Sequence, residues 1–122
     1  RIMYNGELLT FAEFNQEHRR CLDFIKKAID ESESRHKIVL THHVPSFQMQ
    51  CPKFADSHAN GAFIVELKNY IEQSKIDFWV FGHSHYNIDK VIGHTTCLSN
   101  QLGYVFQDEH KTFDHGKYFI IE

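Results

Sequence analysis

Ile76-Asp77-Phe78-Trp79-Val80-Phe81-Gly82-His83-Ser84-His85 decides how this chain is read. Six strand-forming positions run straight into two histidines separated by one residue. A second run has the same ending: Lys37-Ile38-Val39-Leu40-Thr41 leads into His42-His43-Val44-Pro45-Ser46. Ile38-Val39-Leu40 is too short for a helix and suits a strand buried on both faces, as in a parallel sheet. Ligands of such sheets bind beyond the carboxyl ends of the strands. Both histidine pairs fall there, and parallel neighbours bring them together.

Outward from these strands, the intervening chain fits a crossover. Residues 44–59 have poor periodicity and read as a long loop, a length that in compact domains is often functional. Asn60 is expected to cap a second helix, with Phe63, Ile64, Leu67, Tyr70 and Ile71 facing inward. Strand, loop, helix and strand in this order imply two parallel strands and a right-handed crossover. Upstream, Thr10 and Glu13 form a capping box, with Leu9 and Phe14 as its staple. Phe11, Phe14, Cys21, Leu22, Ile25 and Ile29 recur at helical spacing, so a helix is expected from about Thr10 to Glu33. Its charged side is a solvated face. Downstream, Ile88–Ile92 and Thr95–Ser99 are short strands around Gly93-His94. A further strand is expected at Tyr118–Ile121, and a less defined one at Leu102–Phe106.

The composition narrows the function. The 122 residues suit one domain, and 42% hydrophobic with 24% charged residues is ordinary for a soluble globular chain. A net charge of −3 offers no basic excess to hold a phosphate backbone, so nucleic acid is not expected as the main partner. No apolar run approaches a membrane span, and the start, Arg1-Ile2-Met3-Tyr4, is too polar and lacks the apolar stretch expected of a signal peptide. Cys21, Cys51 and Cys97 match no zinc knuckle, and their odd number suits a reducing, cytoplasmic setting. Cys21, Cys97 and Trp79 read as core. Arg1 in first position implies a processed, trimmed or partial product.

Side chains alternate along an extended strand, so His83 and His85 leave on the same side if that path continues. Gly82 removes bulk where the backbone meets a ligand, and Pro45 marks the first strand as finished by His43. Neutral imidazole suits zinc, iron, manganese or nickel. His42 and His43 compete as ligands, because a one-residue change in the strand end exchanges their directions. His18, His36, His58, His94, His110 and His115 read as surface, loop or turn residues.

Val39-Leu40-Thr41-His42-His43-Val44-Pro45-Ser46 and Phe81-Gly82-His83-Ser84-His85 resemble the last two signature blocks of the calcineurin-like metallophosphoesterases. Cys51-Pro52-Lys53-Phe54 and Asn60-Gly61-Ala62-Phe63 look like the linking segment of small bacterial members. Leu98-Ser99-Asn100 with Gly103-Tyr104 resembles what often follows. The resemblance spans about Ile38 to Tyr104. It implies an α/β fold, an α/β/β/α sandwich of two mixed sheets with flanking helices, of which residues 1–122 form the C-terminal portion. It implies two divalent ions, manganese, iron or zinc, that clamp a phosphoryl group and activate water. His42 and His83 would hold one ion and His85 the other. His43 and Asn100 would stand on the substrate side or behind the ligands.

The family's D-x-H, G-D-x-x-D and G-N-H-D/E blocks do not occur before Thr41, and Asp23 and Asp30 on an amphipathic helix cannot replace them. The catalytic residue is therefore not assigned. The expectation is a phosphomonoesterase or phosphodiesterase whose missing N-terminal half completes the site. Its substrate would be a small phosphoester, without a membrane partner. The isolated chain would be nearly inactive and prone to self-association through the surface that half would cover. Other metal hydrolases fit less well. The H-x-H-x-D-H pattern of metallo-β-lactamase-like enzymes fails at Asn87 and Ile88, and an amidohydrolase barrel has no room. A non-catalytic metal-binding or interaction module is the alternative.

Overall fold

The computed structural model describes residues 2–122. It is an α/β chain of two compact units, Arg1–Glu33 and Ser34–Glu122, where the sequence shows no convincing internal boundary.

The first unit is a hairpin and a helix. Strands β1 (Met3–Tyr4) and β2 (Glu7–Leu8) pair antiparallel around Asn5-Gly6. Both turn residues have positive φ, 51° and 88°, the geometry that makes Asn-Gly a strong hairpin signal. Helix α1 (Phe11–Glu31) starts where the capping box puts it. Thr10 Oγ1 accepts from the Glu13 N–H at 3.2 Å, and the Thr10 N–H donates back to the Glu13 carboxylate at 2.8 Å. Tyr4 Oη donates to Glu17 Oε1 at 2.7 Å, tying hairpin to helix. The apolar helix positions are not core: no residue of α1 is buried, Phe11 is 91% exposed and Cys21 is exposed. A unit this small has too little chain to enclose a helix face.

The second unit is built on a four-stranded mixed sheet. Its strands are β3 (Ile38–Leu40), β4 (Phe78–Phe81), β5 (Lys90–Ile92) and β6 (Thr95–Ser99), in the order β3-β4-β6-β5. β3 and β6 run parallel to β4, and β5 closes an antiparallel hairpin on β6. Val39, Trp79 and Cys97 lie in register on one face, and all three are buried. On the other face Ile38 and Leu40 are exposed, so β3 is buried on one side only. β3 is an edge strand, which explains the difference from the fully buried strand expected of a continuous apolar run.

The loop after His43 starts in the core. Val44, Pro45, Ser46 and Met49 are fully buried. Val44 bridges Ile64 in parallel, and the Leu67 N–H donates to Pro45 O at 2.9 Å. Short 3₁₀ turns at Phe47–Met49, Pro52–Phe54 and Asn60–Ala62 replace the irregular loop. Asn60 opens the last of these turns and caps no helix. Helix α2 is only Lys68–Gln73, with Ile71 buried. Neither expected strand beyond β6 forms: Val105–Gln107 is a 3₁₀ turn, and Tyr118–Ile121 is irregular. Tyr118 and Ile120 are 80% and 66% exposed, while Phe119 stacks on Phe78 at 4.3 Å. One anchored ring holds that segment without a ladder.

Candidate metal centre

Three parallel strands deliver the site. β3 leads into His42 and His43, β4 into His83 and His85, and β6 into Asn100 and Gln101. The β3–β4 ladder continues past both strands: the Thr41 N–H donates to Val80 O at 2.9 Å and the Gly82 N–H to His42 O at 3.1 Å. Backbone pairing therefore sets His42 beside Gly82. Behind them, Trp79 Nε1 donates to Thr41 Oγ1, which donates to His43 O, both at 2.9 Å. A buried indole thus fixes the backbone that carries the first histidine pair.

His42, His43 and His83 cluster. The His83 ring lies 4.6 Å from each of the other two, and His42 lies 5.3 Å from His43. His83 Nδ1 and His42 Nε2 are 2.8 Å apart, a hydrogen bond in which one ring donates to the other. Phe63 packs on His83 at 4.5 Å. A cleft of about 200 Å³ lies alongside, lined by Cys51, Phe54, Ala59, Phe63, Ile64 and Ser84 among others.

The path does not stay extended after β4, which corrects the expected same-side exit of His83 and His85. His83 has φ 69° and His85 has φ 50°. The Ser84 N–H returns to Gly82 O at 2.9 Å, so His83 is the centre of a left-handed γ-turn, the rare and strained form. Such backbone costs about 1–3 kcal/mol per residue and gathers at functional sites. Gly82 leaves no critical gap: an added Cβ would meet His42 O at 3.5 Å, an ordinary contact.

His85 is not part of the three-ring cluster. Its Nδ1 sits 2.9 Å from Glu109 Oε2, and its N–H donates to Gln101 Oε1 at 2.8 Å. Asn100 holds a different segment: its Nδ2 donates to Asp114 O at 2.7 Å and its Oδ1 accepts from the Asp114 N–H at 3.0 Å. His110 lies in the 3₁₀ turn Glu109–Thr112, as a turn residue was expected to, but it is half-buried with a shielded Nδ1 that has no partner.

Sequence reasoning missed Gln101 and Glu109. Gln101 is buried; its Nε2 reaches Ser84 Oγ at 3.2 Å and Tyr86 O at 3.0 Å. Its backbone pairs reciprocally with Asn87. One amide thereby organises the whole turn between His83 and Tyr86. Neither residue carries a local signal, since they lie 16 and 24 positions from His85.

The donor chemistry suits a divalent cation. Burial, and then the fields of His43, His42 and His85, pull the His83 pKa from its ordinary 6.5 down to about 4. The ring is therefore neutral at neutral pH, the ligand form. His42 and His83 supply two such nitrogens, where zinc sites use three or four protein ligands. Among the described residues no group of three or more His, Cys, Asp or Glu is arranged to hold a metal ion.

The depressed pKa has a consequence for stability. Between pH 6.5 and about 4 the unfolded chain binds a proton at this position and the folded chain does not. The stability present above 6.5 should therefore fall as the pH drops through that window. His83→Asn, which tolerates left-handed backbone, is expected to flatten this acid limb in melts of the metal-free chain. An unchanged limb would place the acid sensitivity elsewhere.

No helix among the described residues is long and apolar enough to cross a membrane. No family model and no solved structure matches the chain. It is similar to Uncharacterized protein L509 of Acanthamoeba polyphaga mimivirus, with 28% identity over 121 residues and 93% of this chain covered. The chain spans 42% of the length of that curated relative.

Proposed function

We propose that this chain contributes part of a two-metal centre that hydrolyses phosphomonoesters or phosphodiesters within a longer parent protein. The observation behind the reading is the meeting of His42 and His83 beyond neighbouring parallel strands, with His83 in a strained turn. Strain of this kind persists only where the surrounding structure enforces it.

In this reading His42 and His83 hold one ion and His85 the other, with manganese, iron or zinc as candidates. When bound, the ions supply charge to neutralise phosphoryl oxygens and an activated water. The chain's own part is to present neutral imidazole lone pairs and to keep them from turning. Phe63 does so against His83, and the Trp79–Thr41–His43 chain fixes the backbone that carries the first pair. His43 stands on the substrate side. The cleft beside Phe63 accommodates the organic part of a small ester. Nucleic acid and membrane are not partners in this reading, and the setting is cytoplasmic.

The four-stranded sheet is then one layer of an α/β/β/α sandwich. The D-x-H, G-D-x-x-D and G-N-H blocks belong to the rest of the parent, which covers apolar surface that would otherwise self-associate. The viral relative extends well beyond the matched segment, so a longer protein of this kind has room for them.

The test is metal binding by the chain itself. Titration with Zn²⁺ or Mn²⁺ is expected to show one principal site. His42→Ala or His83→Ala should weaken it by at least roughly ten- to a hundredfold, the scale already seen on losing a group that merely supports a ligand. Binding unchanged in both variants would sink the reading. The chain alone is expected to leave an activated phosphodiester uncleaved. Mn²⁺-dependent cleavage at an enzymatic rate, lost in His83→Ala, would show instead that its own residues complete the site.

One observation favours a second reading. His85 is engaged by Glu109, apart from the His42–His83 pair, which suits a non-catalytic module that binds one ion or a partner. Joining the chain to its parent's upstream segment separates the two: phosphoesterase activity appears in the first and not in the second.

A further inference from the structure

His85 leaves β4 with its imidazole held from several sides. Its Nδ1 meets Glu109 Oε2 at 2.9 Å, and the Tyr104 ring stands edge-on to it at 4.7 Å. The same Glu109 oxygen accepts the Tyr104 N–H at 2.6 Å, so the carboxylate is anchored to backbone and not free to swing. Gly103 closes the arrangement. Its φ is 64°, and a Cβ there would lie 2.6 Å from Glu109 Cβ and 3.2 Å from His85 Cβ. A glutamate side chain is ordinarily ionised at neutral pH, so Glu109 can only accept.

A neutral imidazole has one N–H and one bare nitrogen, while a carboxylate only accepts. The nitrogen facing Glu109 must therefore carry the hydrogen. We propose that Glu109 is a positioning residue for His85: it accepts the Nδ1 hydrogen, fixes the ring and leaves the lone pair on Nε2 for a ligand. That Nε2 serves a metal ion rests on the function proposed above; the tautomer and its dependence on Glu109 do not. An ordinary surface ion pair would lack both the anchored oxygen and the glycine that admits it. Carboxylates that orient a ligating histidine in this way are a general device of metal sites.

The experiment is two-bond ¹H–¹⁵N correlation NMR of the ¹⁵N-labelled 122-residue chain, at about pH 8, where imidazole is ordinarily neutral. His85 is expected in the Nδ1–H form. Glu109→Ala should move it toward the Nε2–H form that free side chains favour. Glu109→Gln should keep the wild-type pattern, because the Tyr104 N–H selects the amide oxygen at the same place. An Nε2–H form in the wild type overturns the proposal, and so does a pattern unmoved by Glu109→Ala. Added Zn²⁺ separates the two ideas. With the tautomer as expected and no imidazole responding to Zn²⁺, the positioning role stands and the metal reading falls. With imidazoles responding and the tautomer indifferent to Glu109, the positioning role falls.

Discussion

Trp79→Ala is expected to lower the unfolding free energy by about 3–5 kcal/mol, the range for emptying a buried aromatic site. Domains of ordinary stability have about 5–15 kcal/mol in total, so the variant should be marginal or unfolded. Trp79 is fully buried at the centre of the sheet, between Val39 and Cys97 in register. Its removal also releases Thr41, which holds the His43 carbonyl. Trp79→Phe separates these two effects. It keeps most of the apolar volume but leaves Thr41 without its donor, and a loss of about 1–3 kcal/mol is expected. Urea unfolding followed by circular dichroism measures both, since the chain has one tryptophan and fluorescence would be lost with it. A Trp79→Ala loss below about 1 kcal/mol would mean that the sheet is not organised around this ring.

Gly103→Ala is the second large effect. The residue has φ 64°, and the new Cβ would stand 2.6 Å from Glu109 Cβ and 2.9 Å from its Oε2. Left-handed backbone costs a non-glycine residue about 1–2 kcal/mol, and overpacking adds about 1–3 kcal/mol. A combined loss of roughly 2–5 kcal/mol is expected, together with separation of Glu109 from His85. Gly82→Ala is the matched control. Its Cβ would meet only ordinary contacts at 3.5 Å and beyond, with no positive φ, so a change within about 1 kcal/mol is expected. Equal losses at the two positions, in the same unfolding assay, would remove the steric argument for Gly103. The sequence draws attention to Gly82 because it precedes a histidine motif. The structure moves the steric demand to Gly103, which is crowded by Glu109 six positions on and by His85 from the end of β4.

The features legible in the sequence are those whose physics closes over a few residues. The Thr10–Glu13 box fixes the start of α1 because both partners lie within one turn. Short apolar runs ending in histidine give β3 and β4, and the intervening chain length makes them parallel. Burial of Trp79 and Cys97 follows from their places in such runs. Periodicity misled where it needed a partner to act on. The apolar positions of α1 repeat correctly, yet none is buried. The run at Tyr118–Ile121 is strand-like, yet it joins no ladder.

At the candidate site, the sequence by itself determined which imidazoles stand at strand ends and that the ends of parallel strands bring them near one another. Only the tertiary structure decided their directions. The left-handed backbone at His83 and His85 is imposed by Gln101, which holds the His85 N–H and the Ser84 hydroxyl from the end of β6. Glu109 turns His85 from another segment again. Strand propensity is a property of neighbours along the chain, so it can be read residue by residue. A strained turn exists only because distant groups outweigh local preference, and those groups are known only once the sheet has assembled.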